Sequence, residues 1–206
     1  MDDEEERIVA QDNLLSQSRS LVATADLVDD RFTSVVEEID CAWNSHRPII
    51  FSGVGKSGLV GRYLASCFNA IGVSSAFLHP TDAVHGDMGI LQGAGVLIAL
   101  SVSGETKELE PILNRVGYLG TPAYLITAGG DECTLALNVQ NVLPLARLPE
   151  IDPSGMVPLK ASLMQMALGN ALVVAVAERI GFNKNKLTAL HPGGSIGEKL
   201  REEGAG

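Results

Sequence analysis

Along residues 1–46 the apolar positions recur at helical spacing: Leu14, Leu15, Leu21, Val22 and Leu27, then Val35, Val36, Ile39 and Trp43. Side chains three and four residues apart share one face of a helix, so this stretch predicts two helices. From Pro48 the pattern changes. Residues 48–52, 75–78, 95–100, 123–127 and 141–145 are short apolar runs, and the first is closed by Gly53. Between them, 56–71 and 105–119 are long enough for helices. A long helix over 159–180 follows, then 187–190, a Pro-Gly-Gly turn and a short helix from Ser195, where Ser195 and Glu198 have the spacing of a capping box. Short apolar strands alternating with helices predict a parallel sheet covered on both faces. With no internal repeat or low-complexity linker, the chain reads as one α/β domain over 1–206: N-terminal helices over 1–46 and a core over 47–200.

The segment 161–177 is apolar apart from Ser162, Gln165, Gly169 and Asn170. A membrane span needs about 20 mainly apolar residues. This run reads as too short and too polar, and so as a helix buried in the core or between subunits. Together with the apolar N-terminal helices it predicts a homo-oligomer.

Composition narrows the function. The 206 residues are 46% hydrophobic and 19% charged, which describes a globular chain. The formal charge of −10 disfavours nucleic acid and anionic membrane as partners, so any bound anion is captured locally. Cys41, Cys67 and Cys133 are far apart with no CxxC, as expected of thiols in a reducing compartment. The acidic start, MDDEEE, is the opposite of a basic signal-peptide opening, and a cytoplasmic protein is expected.

Two loops carry the candidate chemistry. GVGKSG at 53–58 follows a predicted strand and opens a helix. It fails the GxxxxGK[ST] phosphate loop, because position 50 is Ile. It fits GxGxxG, but that fingerprint expects an acid about 20 residues on, and the next strand ends at Leu78, His79 and Pro80. A tight turn with an exposed Lys is one remaining reading. The other is a substrate loop of Gly53, Gly55 and Ser57, with Lys56 reaching an anionic group over the strand ends, where ligands bind in open α/β sheets. SVSGET at 101–106 follows the third strand. Ser103 there is expected to cap a helix starting at 105, and Ser101, Ser103 and Thr106 supply hydroxyls beside free amides, a pattern suited to phosphate. An ordinary Ser cap would account for Ser103, Glu105 and Glu108, but not for Ser101. Glu108, one turn on, is placed to face the sugar end of a ligand.

His79, Asp82, His85 and Asp87 cluster within nine residues. They allow a metal reading in principle, but no HxxxH or HExxH spacing supports it, and the alternative is a loop carrying His85 as a polar site group. His191, before Pro-Gly-Gly, reads either as a turn residue or as a fixed, exposed group suited to acid–base work. Glu150 lies in a Pro-rich loop and reads equally as a solvated acid or a site group.

Taken together, GVGKSG at 53–58, HPTDAVHGDMG at 79–89, SVSGETKE at 101–108 and HPGGSIG at 191–197 resemble the SIS (sugar isomerase) domain family, most closely its arabinose 5-phosphate isomerases. The likeness covers about residues 30–200. It implies an α/β three-layer sandwich with a five-stranded parallel sheet flanked by helices. It also implies a phosphate site at Ser101, Ser103 and Thr106, active-site groups at Lys56, Glu108, Glu150 and His191 with His85 close by, and no cofactor or metal. The assembly it implies is a homotetramer whose sites are completed by neighbouring subunits. The family's Thr- and Ser-rich run before the long helix is here Pro158-Leu-Lys-Ala-Ser-Leu163, a departure near the site. Many members continue into a pair of CBS modules; this chain stops at Gly206, so those modules and their regulation are expected to be absent.

The activity so implied interconverts arabinose 5-phosphate and ribulose 5-phosphate through an enediol(ate), feeding synthesis of the eight-carbon acid sugar of lipopolysaccharide or capsule. His191 is expected to open the ring, a glutamate (150 or 108) to move the proton between C1 and C2, and Lys56 to stabilise the enediolate. A non-catalytic sugar-phosphate sensor, or an isomerase of another sugar phosphate, is the alternative.

Overall fold

The structure, a computed structural model, describes residues 1–204. Helix α1 (Asp3–Ala25) opens with a capping box: Asp2 accepts the N–H groups of Glu4 and Glu5, and Glu5 returns the bond to the Asp2 N–H. Four acidic residues in its first turn complement the helix dipole. Helix α2 (Asp30–Asn44) is capped by Asp29 and buries Val35, Val36, Ile39 and Ala42.

The α/β core then alternates as the apolar runs predict: β1 (Ile49–Gly53), α3 (Gly55–Ala70), β2 (Ser75–Phe77), α4 (Pro80–Val84), β3 (Val96–Leu100), α5 (Glu110–Leu119), β4 (Ala123–Thr127), β5 (Asn141–Pro144), α6 (Leu159–Arg179), α7 (Lys184–Leu190) and α8 (Gly194–Gly204). All five strands are parallel, in the order β2-β1-β3-β4-β5. Strand residues alternate between two cores. Ile49, Phe51, Val96, Ile98, Leu100, Tyr124 and Ile126 pack with α2, α3 and α6. Ile50, Leu97, Ala99, Ala123 and Leu125 pack with α4, α5 and the turns around them. Two-sided burial of β1, β3 and β4 explains why these central strands read as near-continuous apolar runs.

Three expectations are corrected. Helix α5 starts at Glu110, not 105, after a 3-10 turn over Lys107–Leu109. Pro111 is the reason: inside a longer helix it could not donate to the carbonyl of Lys107 and its ring would clash there, whereas in the first turn its missing N–H is harmless. The last helix starts at Gly194, so Ser195 lies inside it and the Ser195–Glu198 capping box does not form. Helix α6 has 21 residues and is long and apolar enough to cross a membrane by length and composition, contrary to the shorter run read from sequence. Its inner face is nevertheless used within the fold. It packs on α1, α2 and α3, and a Cβ on Gly169 would lie 2.9 Å from Leu64 Cγ, so the bare glycine lets α3 and α6 approach closely.

Candidate functional site

The strand order reverses between β1 and β3. From β1 the chain crosses to β2 on one side, and from β3 to β4 on the other. The loops leaving these two strands diverge over the carboxyl edge and leave a crevice, the usual ligand position in such sheets. Those loops are GVGKSG and SVSGET. Their backbones lie against each other: Gly53 pairs with Leu100 in register, and a Cβ on Gly53 would come 3.0 Å from the Leu100 carbonyl oxygen. On Gly58 a Cβ would meet the Gly53 carbonyl oxygen at 2.7 Å. Gly55 has φ +59°, which a side chain disfavours. The glycines therefore serve a tight strand-to-helix turn at the site.

Helix α3 has no side-chain cap, so its first amides face the crevice edge unfilled by the chain. Lys56, in this first turn, is exposed and makes no ion pair among the described residues. Ser57 differs from the expectation of a ligand-facing group. It is buried, and its Oγ donates to Gln165 Oε1 at 3.0 Å.

The Ser loop is held by its own hydroxyls. Ser101 is 2% exposed; its Oγ lies 2.7 Å from Thr106 Oγ1 and accepts the Gly104 N–H at 3.0 Å. Ser103 is exposed and its Oγ accepts the Glu105 N–H at 3.1 Å. Since α5 begins later, Ser103 closes a local turn and is not the cap of that helix, a second consequence of Pro111. Among the described residues the N–H groups of Ser103 and Thr106 have no partner within the chain. Gly104 supports the loop at φ +74°, against Cys133. The loop is further tied by Glu105, whose carboxylate accepts the Thr134 N–H at 2.9 Å and the Thr134 hydroxyl. The Thr134 hydroxyl bond, then its backbone bond, hold the Glu105 carboxyl below the usual carboxylate range. We expect Ser103→Ala to weaken phosphate binding while leaving the thermal midpoint within about 2 °C of wild type, as for most surface changes. An unchanged affinity in a phosphate titration would remove Ser103 from the site.

Beside this crevice a cleft of about 730 Å³ opens between the loops after β3, β4 and β5 and the start of α6. Ser103, Glu105, Gly129, Glu132, Arg147 and Glu150 are among its lining residues. The structure thus brings Glu150 to the same cleft as Ser103. Both carboxylate oxygens of Glu150 are engaged: Leu159 and Lys160 donate to Oε2 at 3.0 and 2.8 Å, and Ala161 donates to Oε1 at 3.0 Å. Glu150 is therefore the cap of α6, which the Pro158 cap position cannot supply. Glu108 sits in the 3-10 turn directly after the Ser loop, exposed, with no hydrogen bond to its carboxylate among the described residues. Arg147 is a cleft cation that sequence reading passed over. It follows the fifth strand, and its position past a sheet edge was the available signal.

The histidines do not join this cleft within one chain. His85 is exposed at the end of α4, and His79 is its cap, with Nδ1 accepting the Thr81 N–H at 3.3 Å. No group of three or more His, Cys, Asp or Glu converges among the described residues. His191 ends α7 and is half-buried rather than exposed; its Nδ1 is buried without a partner among the described residues. Helix α7 lies at the far end of α3: Leu190 touches the position of Gly72, just past the α3 C-terminus. Lys56 is at the α3 N-terminus, and 16 residues of helix separate those ends by about 24 Å.

The SIS domain family model matches residues 43–175. Arabinose 5-phosphate isomerase KpsF of Escherichia coli is 38% identical over 152 residues, covering 74% of this chain and 48% of that protein. Arabinose 5-phosphate isomerase KdsD of Salmonella typhi is 34% identical over 173 residues, covering 84% of this chain and 52% of that protein. The chain spans about half the length of the curated relatives it matches. An Escherichia coli CFT073 protein solved in complex with arabinose 5-phosphate superposes with a TM-score of 0.80 at 27% identity, covering 93% of this chain and all of that one.

Proposed function

The chain belongs to the SIS domain family, and from that premise we propose that it is an aldose–ketose isomerase interconverting arabinose 5-phosphate and ribulose 5-phosphate. The observation that carries this reading is the facing pair of loops at the β1/β3 switch point. One offers Lys56 and an uncapped helix start; the other offers the Ser101–Thr106 turn with open N–H groups at Ser103 and Thr106. Together they suit a phosphate at one end and a developing oxyanion at the other. The relatives named above, and the neighbour solved with arabinose 5-phosphate, support the same substrate.

In this mechanism the Ser loop amides hold the phosphate, with Arg147 as a nearby countercharge. His191 moves the proton that opens the sugar ring. A carboxylate then transfers a proton between C2 and C1, while Lys56 stabilises the enediolate oxygen. Between the two acids the geometry favours Glu108. Its carboxylate is unengaged, whereas both oxygens of Glu150 are occupied by three N–H donors. The two assignments are separable. Glu108→Gln should lower kcat by roughly 10²–10⁴-fold with an unchanged unfolding midpoint. Glu150→Ala should destabilise the fold by about 1.5–3 kcal/mol, the scale of charged hydrogen bonds. A Glu150→Ala protein as stable as wild type would return Glu150 to the list of candidate bases.

His191 lies too far from Lys56 in one chain to act on the same sugar, so the working site is shared between copies, in a homotetramer. Supporting this, Ile8, Val9, Leu14, Leu15 and Val22 of α1 are at least half exposed, an unusual apolar load for a monomer's surface. Sedimentation should give a tetramer; a stable monomer would overturn the shared site. Cys41, Cys67 and Cys133 are all unpaired, which supports a reducing, cytoplasmic setting; a place in lipopolysaccharide or capsule sugar synthesis follows from the isomerase reading alone. The direct test is an isomerase assay against a panel of pentose and hexose phosphates. Turnover of arabinose 5-phosphate is expected; binding without turnover of any of them would make the protein a sensor.

A further inference from the structure

One buried side chain on α6 bonds both to the Lys56 turn and to the strand carbonyl from which the Ser loop starts. Gln165 is fully buried. Its Oε1 accepts the Ser57 hydroxyl at 3.0 Å, one residue after Lys56. Its Nε2 reaches the Ile126 carbonyl at 3.5 Å. That same carbonyl accepts the N–H of Ser101, the root of the Ser loop, at 3.2 Å. A run of hydrogen bonds therefore joins the Lys56 turn to the Ser loop through a third element, under the crevice between them.

Packing alone does not call for an amide here. The other residues on this buried face of α6 include Ala161, Met164, Leu168 and Leu172, and an apolar side chain of similar volume would complete it. A buried amide is tolerated only when bonded, and this one is bonded to Ser57 in the Lys56 turn and to the β4 carbonyl that also holds the root of the Ser loop. We infer that Gln165 is a positioning residue: it sets the separation of Lys56 from the Ser101–Thr106 turn, and so the span between oxyanion and phosphate. The kinetic consequence rests on the isomerase reading; the binding consequence does not.

The test compares wild type with Gln165→Met, Ser57→Ala and the double variant. Three quantities are measured: thermal midpoint, affinity for inorganic phosphate, and kcat and KM on arabinose 5-phosphate. Gln165→Met leaves the Ser57 hydroxyl buried without its acceptor, so the midpoint falls. In the double variant that hydroxyl is gone and the midpoint recovers, since removing both partners of a buried bond is close to neutral. Turnover and phosphate affinity stay low in the double variant, with kcat down roughly ten- to hundredfold, the scale of small misplacements. A double variant that binds phosphate and turns over like wild type would show that Gln165 only fills space. If Gln165→Met does not fold, Ser57→Ala alone decides: it cuts the tie between the loops while leaving Gln165 on Ile126. Wild-type kcat and phosphate affinity in that variant overturn the inference. If wild type itself has no isomerase activity, that reading falls, and the phosphate affinities of the variants still decide this one.

Discussion

His191→Ala should abolish most turnover, by roughly 10²–10⁴-fold, and mixing it with an equally inactive Lys56→Ala protein should restore activity. Lys56 opens α3, and the helix carrying His191 packs beyond the other end of α3. One chain cannot bring both to a single sugar. If each site takes Lys56 from one copy and His191 from another, random mixed assemblies contain intact sites in about a quarter of positions. Subunits must be exchanged, by mild denaturation and refolding or by co-expression, and the rate of ketose formation followed. Activity well above either parent is the expected result. Mixed assemblies as inactive as their parents would place both groups in one chain's site, or remove one of them from the mechanism. The His191→Ala protein should remain folded and bind phosphate, because its imidazole Nδ1 has no partner to lose among the described residues.

A large stability loss is expected at Gly104, with Gly104→Ala lowering stability by about 2–5 kcal/mol. Two costs add. The residue sits at φ +74°, where a side chain costs about 1–2 kcal/mol. Its new Cβ would also lie 2.5 Å from Cys133 Cβ and closer still to the sulfur, and such overpacking costs typically about 1–3 kcal/mol. For a chain of this size the thermal midpoint should fall by roughly 5–15 °C. Gly130→Ala is the control, with φ +80° and nothing within 4 Å of a Cβ. It carries the strain without the overlap and should lose much less. Because Gly104 lies within the Ser loop, its variant should also lose phosphate affinity. Equal midpoints for the two variants would mean that Cys133 yields freely.

Much of this protein was legible before its structure. The five apolar runs became the five strands with end shifts of a residue or so; the central three, β1, β3 and β4, are buried throughout and so read as near-continuous apolar runs. The two loops at the switch point were found from glycines, hydroxyls and a lysine placed just after strands, where a parallel sheet must present them. The errors were local and had local causes. Pro111 moved the start of α5 and with it the role of Ser103. Ser57 was read as facing a ligand because a lone serine in a glycine loop carries no sign of its inward partner, Gln165, 108 residues away.

What the sequence by itself determined is therefore the strands and main helices, the class of fold and which loops are candidates for the site, since periodicity and turn residues act over a few positions. What only the tertiary structure decided is where those residues stand relative to one another. It gave Glu150 to the start of α6, left Glu108 open, brought Arg147 to the cleft and carried His191 to the opposite end of the sheet. Each of these depends on contacts between residues far apart in the chain. Such contacts arise from the crossing of α3, α6 and the strand edges, and no short-range pattern encodes them.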